Sequence, residues 1–264
     1  MAASHVLPDQ PLMTVSISLG SFRSHVDAIA RLAAGRVSSY VCCVNAHMTV
    51  EARKPDFARV VHEADLATAD GMPVRYALNF FRGERQERVA GNDLMPAVLE
   101  RAAHDGLSVY IYGGAAATQQ AILERIRTEL PTLIVAGAHA PPFGELATMD
   151  LMAEAQRIES SGAQVVLVSL GCPKQERWMN LMKGHVNAVM LGLGGAFLLY
   201  ARMESRAPAW MRSLALEWLY RLCLEPGRLW KRYLVTNSIF IAMCVREAVG
   251  MLIPAIRRKP YGAA

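Results

Sequence analysis

The chain has 264 residues, of which 53% are hydrophobic and 19% charged, and its formal net charge is +5. This composition excludes a disordered chain, and the length is sufficient to bury a core without disulfides or a structural metal. The mean hydropathy is +0.19, yet no uninterrupted apolar run reaches the roughly 20 residues of a membrane-spanning helix, which argues against a span and leaves a membrane surface open.

Short runs rich in β-branched residues alternate with longer helical patterns over the first three quarters of the chain. This alternation predicts an α/β fold, a Rossmann-like parallel sheet with helices on both faces. The predicted strands are Thr14–Leu19, Tyr40–Val44, Ser108–Tyr112, Leu133–Val135, Val165–Ser169 and Ala188–Leu191. The predicted helices are Thr49–Ala64, Asp93–His104, Ala116–Glu129, Met149–Ser160 and Lys174–Lys183.

Glycines directly follow several of these strands. They are Gly113, Gly114, Gly171, Gly192, Gly194 and Gly195. A strand that ends beside a ligand needs a backbone that can turn sharply and approach closely, so these glycines predict a ligand site along the carboxyl edge of the sheet.

The pattern changes after Ala201. Residues 202–264 have a helical pattern interrupted at Pro208 and Pro226 and carry a net charge of +7, whereas residues 1–201 carry −2. We therefore predict an α/β core over 1–201 and a helical, basic C-terminal appendage over 202–264. The concentrated positive charge predicts an anionic partner, either lipid or a phosphorylated substrate. Zinc-finger spacings and aromatic-rich RNA-binding signatures are absent, so no nucleic-acid partner is expected.

The appendage contains a strongly apolar run, Leu234–Val245, which is only 12 residues long and is interrupted by Arg246 and Glu247. An apolar helix followed by the basic cluster 257–259 is typical of a helix that lies in the plane of an anionic leaflet. A C-terminal helix packed on its own core or on another subunit explains the same pattern. The sequence therefore leaves both peripheral membrane binding and a homo-oligomer open.

The five cysteines form no CxxC pair, and no secretory signal precedes the predicted fold. This pattern predicts a reduced, cytoplasmic protein in which the cysteines are small core hydrophobes. Cys43 is the one cysteine beside a candidate site.

The familiar catalytic signatures are missing. There is no P-loop, HExxH or GxSxG sequence, and Gly192-Leu193-Gly194 continues with Phe197 where a dinucleotide fingerprint requires glycine. There is also no Asp-x-Asp pair of the kind that holds a divalent metal against a nucleotide diphosphate. We therefore expect chemistry without a metal or other cofactor.

A first cluster combines Asn45 with Asp70, which ends an apolar stretch and precedes Gly71. A partly desolvated carboxylate at a strand end can have its pKa raised and accept a proton from an attacking hydroxyl, as a general base does. The alternative is that Asp70 caps the helix that begins near Gly71.

A second cluster runs from Gly171 through Cys172 and Pro173 to Lys174 and Gln175. A glycine followed by a helix start with proline in its first turn is typical of an anion- or sugar-binding site, with Lys174 able to meet a phosphate. An ordinary strand-to-helix turn explains the same residues.

A third cluster places arginines among aromatic residues of the appendage. The arginines are Arg206, Arg221, Arg228 and Arg232, and the aromatic residues are Trp218, Tyr220 and Tyr233. Arginine binds a diphosphate in forked geometry and stays charged when partly buried, so the cluster predicts a diphosphate clamp. Intramolecular pairs with Glu217 and Glu225 are the alternative.

These clusters belong to a longer ordered series of short motifs. They are Asn45-Ala46, Ala69-Asp70-Gly71, Arg88-Val89-Ala90-Gly91-Asn92-Asp93-Leu94, Tyr112-Gly113-Gly114, Gly171-Cys172-Pro173-Lys174-Gln175-Glu176, Gly194-Gly195-Ala196-Phe197, Arg206-Ala207-Pro208 and Glu217-Trp218-Leu219-Tyr220-Arg221-Leu222. In this order, over about residues 13–233, the chain resembles the WecG/TagA/CpsF glycosyltransferases, glycosyltransferase family 26.

The resemblance implies an inverting, metal-independent transfer of a sugar from a UDP-sugar to a polyprenyl-diphosphate-linked saccharide. It implies cell-surface or exopolysaccharide synthesis by a peripheral protein on the cytoplasmic face of the cell membrane. Asp70 becomes the catalytic base, and Asn45 and Gln175 become groups of the site that position substrate. The other implied substrate-binding residues are Lys174, Arg88, Asp93, Gly113, Gly171, Gly194, Arg206, Arg221, Arg228 and Arg232.

Three residues depart from the family pattern: Cys43 stands for a threonine, Leu198 for an aspartate and Arg202 for a glycine. These departures leave the donor sugar open between glucose and N-acetylmannosamine or its uronic acid.

Two other functions fit part of the pattern. A non-catalytic, membrane-associated protein that binds a nucleotide sugar or lipid would keep the arginines without needing Asp70. A Rossmann-type oxidoreductase would carry a nicotinamide or flavin.

Overall fold

The computed structural model describes residues 6–224 and 226–253. The strands are β1 Asp9–Leu12, β2 Val15–Ser18, β3 Ser39–Val44, β4 Leu66–Ala69, β5 Ser108–Gly113, β6 Ile134–His139, β7 Val165–Ser169 and β8 Val189–Gly192. The helices are α1 Phe22–Ala34, α2 Ala46–Glu51, α3 Pro55–His62, α4 Met72–Arg82, α5 Gly91–Asp105, α6 Ala116–Glu129, α7 Leu151–Ser160, α8 Lys174–Met182, α9 Ala196–Tyr200, α10 Ala209–Ser213, α11 Glu217–Leu224 and α12 Pro226–Leu252.

Six strands form one parallel sheet in the order β4-β3-β8-β7-β5-β6. Its central strands are buried along nearly their whole length, as in Val165–Ser169 and Ser39–Val44, because helices cover both faces of a parallel sheet. One apolar layer contains Phe57 and Trp178 from α3 and α8, and the other contains Leu94 and Phe197 from α5 and α9. The predicted α/β class, with helices on both faces, is confirmed.

The sheet places the ends of neighbouring strands at one level. Val44 of β3 lies opposite Ala69 of β4, and Val168 of β7 lies opposite Gly192 of β8. Since the strands are parallel, the residues that follow them meet along the same carboxyl edge. Asn45 and Asp70 therefore leave adjacent strands side by side.

Three sequence predictions of elements are wrong in detail. Thr14–Leu19 corresponds to β2, which pairs antiparallel with β1 outside the parallel sheet. The strand β4 is missing from the predicted strands, although Asp70 is expected at a strand end. Thr49–Ala64 is not one helix, since α2 ends at Glu51 and α3 begins at Pro55, where proline is accepted because its missing N–H is not needed in a first turn.

Over its described residues, 202–224 and 226–253, the appendage contains three helices, α10, α11 and the 27-residue α12. One face of α12 packs on the core through Thr236, Phe240, Met243 and Glu247, whose spacing places them on one side of a helix. Glu247 accepts a hydrogen bond from Arg82 of α4. One face of α12 therefore packs on the core of the same chain, as one of the two sequence alternatives expected.

The opposite face of α12 is apolar and exposed. Leu234, Val235, Ile241 and Val245 are each more than half exposed. The helix runs through Arg246 and Glu247 without a break, and by length and composition Tyr233–Leu252 could cross a membrane, with 28% of its most apolar window buried. The lack of an uninterrupted apolar run therefore does not exclude a span, contrary to the sequence argument. The basic cluster 257–259 lies outside the described residues.

Candidate active site

Asp70 lies directly after β4 at the carboxyl edge. Its Oδ1 accepts a hydrogen bond from the backbone N–H of Gly91 at 3.2 Å. Burial raises the pKa of this carboxyl to about 6, although Arg88 lowers it. A small part of the residue stays accessible, so Asp70 is a desolvated carboxylate that is not fully closed off from solvent.

The helix-cap alternative for Asp70 is wrong for α4. The N-cap residue of α4 is Gly71, and no side chain caps this helix. The carboxylate turns instead toward the first residue of α5.

The Asn45 side chain both caps a helix and contacts Asp70. Its side-chain oxygen accepts a hydrogen bond from the backbone N–H of Met48 at 3.1 Å and so caps α2. The same side chain lowers the pKa of Asp70 through a hydrogen bond to the carboxylate. Because the cap fixes the oxygen end of the amide, the nitrogen end is the one that donates to Asp70.

Arg88 links the site to the appendage. Its Nε donates to the backbone carbonyl of Asp70 at 2.8 Å, and its Nη2 lies 2.9 Å from Glu217 Oε2. Asn92 Nδ2 donates to the other oxygen of Glu217 at 3.3 Å. The first residue of α11 is thus attached to the carboxyl edge beside Asp70. The sequence alternative for the arginine cluster was an ion pair between Glu217 and an arginine of the appendage. Glu217 does form an ion pair, but its partner is Arg88 of the core.

Gln175 lies across the sheet from Asp70, in the first turn of α8 after β7. Its Oε1 accepts from the backbone N–H of Gly171 at 3.2 Å, and its Nε2 donates to Glu176 at 2.8 Å. Lys174 points elsewhere, since its Nζ donates to the carbonyl of Gly144 at 2.6 Å. The structure thus places the Gln175 amide at the carboxyl edge of the sheet, whereas the Lys174 ammonium is turned toward Gly144.

The predicted glycines allow close approaches at the strand ends. A Cβ on Gly113 would lie 2.4 Å from the carbonyl oxygen of Ser169, and one on Gly194 would lie 3.4 Å from Gln175 Oε1. Gly113, Gly171 and Gly194 all have positive φ angles, which glycine adopts without strain.

Two of the predicted arginines reach the same edge. Arg206 lies 2.7 Å from Asp93 of α5, and its Nε is buried without a hydrogen-bond partner within the described residues. Arg221 packs against Gly195, where a Cβ would lie 2.9 Å from its Nη2. Arg228 and Arg232 lie in α12, but their side chains are outside the described part of the structure.

The cysteines are all free, and Cys42 and Cys43 are buried in β3, as expected of core residues. Burial raises the pKa of the Cys43 thiol far above neutral, so it is unreactive although Gly91 lies beside it. Cys223 is exposed, so the expectation of a core position is wrong for this residue.

Sequence reasoning assigned no role to Asn92 and Glu176, and it considered Glu217 only as an ion-pair partner of the arginines. All three lie inside the motifs on which the family resemblance rests, and this position was the one sequence feature that could have identified them. Within residues 6–224 and 226–253, no three side chains of His, Cys, Asp or Glu come together as a metal ion would require.

Comparisons with known proteins identify the family. The model of the "Glycosyl transferase WecG/TagA/CpsF family" matches residues 10–252. An "N-acetylglucosaminyldiphosphoundecaprenol N-acetyl-beta-D-mannosaminyltransferase" of Bacillus spizizenii is 30% identical over 243 residues, which cover 91% of each chain. A protein of the same name from Bacillus subtilis is 30% identical over 201 residues, covering 75% of this chain and 76% of the relative. The chain is an enzyme that belongs to the WecG/TagA/CpsF family of glycosyltransferases.

Proposed function

We propose that this enzyme moves a sugar from a UDP-sugar to a polyprenyl-diphosphate-linked saccharide by a single inverting displacement that needs no metal ion. The observation that carries the proposal is Asp70, a desolvated carboxylate with a pKa of about 6 at the carboxyl edge. A carboxylate of that pKa is ionised at neutral pH and basic enough to accept a proton in the transition state. A protein that only binds lipid or nucleotide sugar has no need of such a group.

In the proposed reaction, a hydroxyl of the acceptor sugar attacks the anomeric carbon of the donor while Asp70 accepts the hydroxyl proton. The new glycosidic bond forms as the bond to the diphosphate breaks, and UDP leaves with the bonding electron pair. Negative charge therefore grows on the diphosphate, where arginines stabilise it in place of a metal.

The buried nitrogen atoms of two arginines support this clamp. The Nε atoms of Arg206 and Arg212 are buried and have no hydrogen-bond partner within the described residues. Leaving a charged donor buried without an acceptor costs free energy, and a bound diphosphate would satisfy Arg206, which lies beside Asp93.

The names of the relatives favour N-acetylmannosamine over glucose as the transferred sugar, and a lipid-linked N-acetylglucosamine as the acceptor. The appendage supplies the route to such a lipid. Its helix α12 exposes Trp230, Leu234 and Ile241 on one face, and this face would lie on the cytoplasmic leaflet while α11 stays attached to Arg88.

The test is transfer by the purified full-length protein, with UDP-N-acetylmannosamine, its uronic acid and UDP-glucose each offered with a short-chain prenyl-diphosphate N-acetylglucosamine. We expect a disaccharide lipid of inverted anomeric configuration, identified by mass spectrometry and NMR. UDP binding without transfer from any donor would instead support the non-catalytic alternative.

A further inference from the structure

Glu176 is a carboxyl group with no contact with solvent. It has 0% exposed surface although it lies in the first turn of α8. Burial raises its pKa to about 7, and its Oε2 has no hydrogen-bond partner within the described residues. Burying such a group costs free energy, so packing alone does not explain why a carboxyl stands here.

Glu176 contacts Gln175, and a hydrogen bond with the Cys172 side chain also lowers the pKa of Glu176. Gln175 Nε2 donates to Glu176 Oε1 at 2.8 Å, while Gln175 Oε1 accepts from the N–H of Gly171 at 3.2 Å. A flipped amide would turn its oxygen toward the carboxyl oxygen and its N–H toward another N–H. The two contacts together therefore determine the orientation of the amide.

The amide so held lies where the chain leaves β8. A Cβ on Gly192 would lie 3.0 Å from Gln175 Nε2, and one on Gly194 would lie 3.4 Å from Oε1. Glycine at both positions makes room for the amide at the carboxyl edge. Each end of the amide keeps hydrogen-bonding capacity beyond these contacts, namely one N–H and one oxygen lone pair.

We propose that Glu176 is a positioning residue, which orients the Gln175 amide so that its remaining N–H and lone pair face the sugar donor. The inference rests on the proposed function, since it takes Gln175 as a donor-binding group. Glu176 itself does not contact the substrate, because it is wholly buried.

A double-mutant cycle tests this role. Glu176→Leu removes the acceptor at similar volume, Glu176→Gln keeps an acceptor, and Gln175→Ala removes the amide. If Glu176 acts through Gln175, Glu176→Leu raises KM for the UDP-sugar about tenfold in the wild-type background and not at all in the Gln175→Ala background. Glu176→Gln stays within about threefold of wild type.

Met182→Ala is the matched control. Met182 is also buried on α8 but is no part of the amide contacts, so this variant lowers the melting temperature and leaves KM unchanged. Effects of Glu176→Leu and Gln175→Ala that multiply overturn the proposal. Circular dichroism shows whether Glu176→Leu folds. If it does not, the KM of Glu176→Gln tests the proposal. A tenfold rise in that KM would contradict a role that needs only a hydrogen-bond acceptor.

UDP binding by calorimetry is measured on wild type, Glu176→Leu, Gln175→Ala and the double variant, and it separates this inference from the proposed function. Multiplying effects in an enzyme that transfers sugar would overturn the positioning role alone. A wild-type protein that transfers no sugar would overturn the function, and the UDP-binding cycle would still decide whether Glu176 acts through Gln175.

Discussion

Arg88 and Glu217 form an ion pair of 2.9 Å between the core and the first residue of α11. Both side chains are mostly buried, so solvent screens the pair less than a surface pair. Arg88 lowers the pKa of Asp70 and Glu217 raises it. The appendage therefore influences the proposed catalytic base directly.

Replacing Glu217 with glutamine should lower the pKa of Asp70. The variant removes a negative charge that raises this pKa and frees the charge of Arg88 to lower it further. A pH profile of kcat/KM should show its acidic limb displaced to lower pH. Glu129→Gln, which breaks a surface pair with Arg125, should leave the limb in place, and an unmoved limb in the Glu217 variant would contradict the coupling.

The wild-type enzyme should lose activity as the pH falls below about 6, the pKa to which burial raises Asp70. Only the ionised carboxylate can accept the hydroxyl proton, so kcat/KM should fall about tenfold per pH unit below that value. An acidic limb near pH 4, where a solvated aspartate titrates, would argue for a different base.

Asp70→Asn should make the protein more stable and far less active. A carboxyl whose pKa is raised in the folded state favours folding while protonated, and this contribution is lost as the pH rises from about 4 to about 6. Asparagine has no such charge, so the free energy of unfolding at neutral pH should increase by about 1–3 kcal/mol. Turnover should fall at least about 100-fold, with UDP affinity retained.

Chemical denaturation and transfer rates measure the two effects together. Asp105→Asn, at an exposed carboxyl paired with Arg101, is the control and should change neither by much. A variant of Asp70 that keeps more than about a third of wild-type turnover would remove this residue from the mechanism.

Much of this arrangement follows from local sequence signals, and some does not. Runs such as Val165–Ser169 are apolar and β-branched, which identifies a buried strand without knowledge of its neighbours. The strand β4 has only four residues, two of them alanine, so it is a strand because β3 pairs with it. The contact of Glu217 with Arg88 joins residues 129 positions apart, and no local pattern selects that partner.

The buried face of α12 includes two polar residues that hydropathy alone would not place inside. Thr236 and Glu247 are buried, whereas Leu234 and Ile241 are exposed. The reason lies in the partners, since Arg82 donates to Glu247 and His47 lies within hydrogen-bonding distance of Thr236. Polar groups on the core thus meet the two polar residues, while Phe240 and Met243 supply the apolar contacts of the same face.

Arginine replacements should reveal the diphosphate clamp. Arg206→Ala and Arg221→Ala should each cost roughly 2–4 kcal/mol of transition-state stabilisation, seen as a fall in kcat/KM. Arg23→Ala is the control, because this side chain is 92% exposed and its nearest carboxylate is 3.9 Å away. If Arg206→Ala lowers only thermal stability and leaves the activity per folded molecule normal, Arg206 serves the fold through its ion pair with Asp93 and does not bind the diphosphate.

Transfer should also survive excess EDTA, since in the proposed mechanism arginines carry out the charge stabilisation that a metal provides elsewhere. The measurement is the initial rate after chelation and dialysis, followed by addition of Mg²⁺ or Mn²⁺. Abolished turnover that either ion restores would require a metal site and overturn the clamp as the main source of leaving-group stabilisation.

The exposed face of α12 should bind anionic membranes. A charge on this face removes apolar contact with the leaflet and is repelled by anionic lipid, so Ile241→Asp with Val245→Asp should abolish sedimentation with phosphatidylglycerol vesicles. Point changes are preferable to truncation near Thr236, because truncation would also remove Phe240 and Met243 from the core. Ile134→Asp, at an exposed site on the opposite edge of the sheet, is the matched control.

The double variant should still use a short-chain, detergent-free acceptor, since α11 remains attached to Arg88. Full vesicle binding by the double variant would show that another surface meets the membrane, and loss of activity on the short acceptor would show that this face serves the catalytic core.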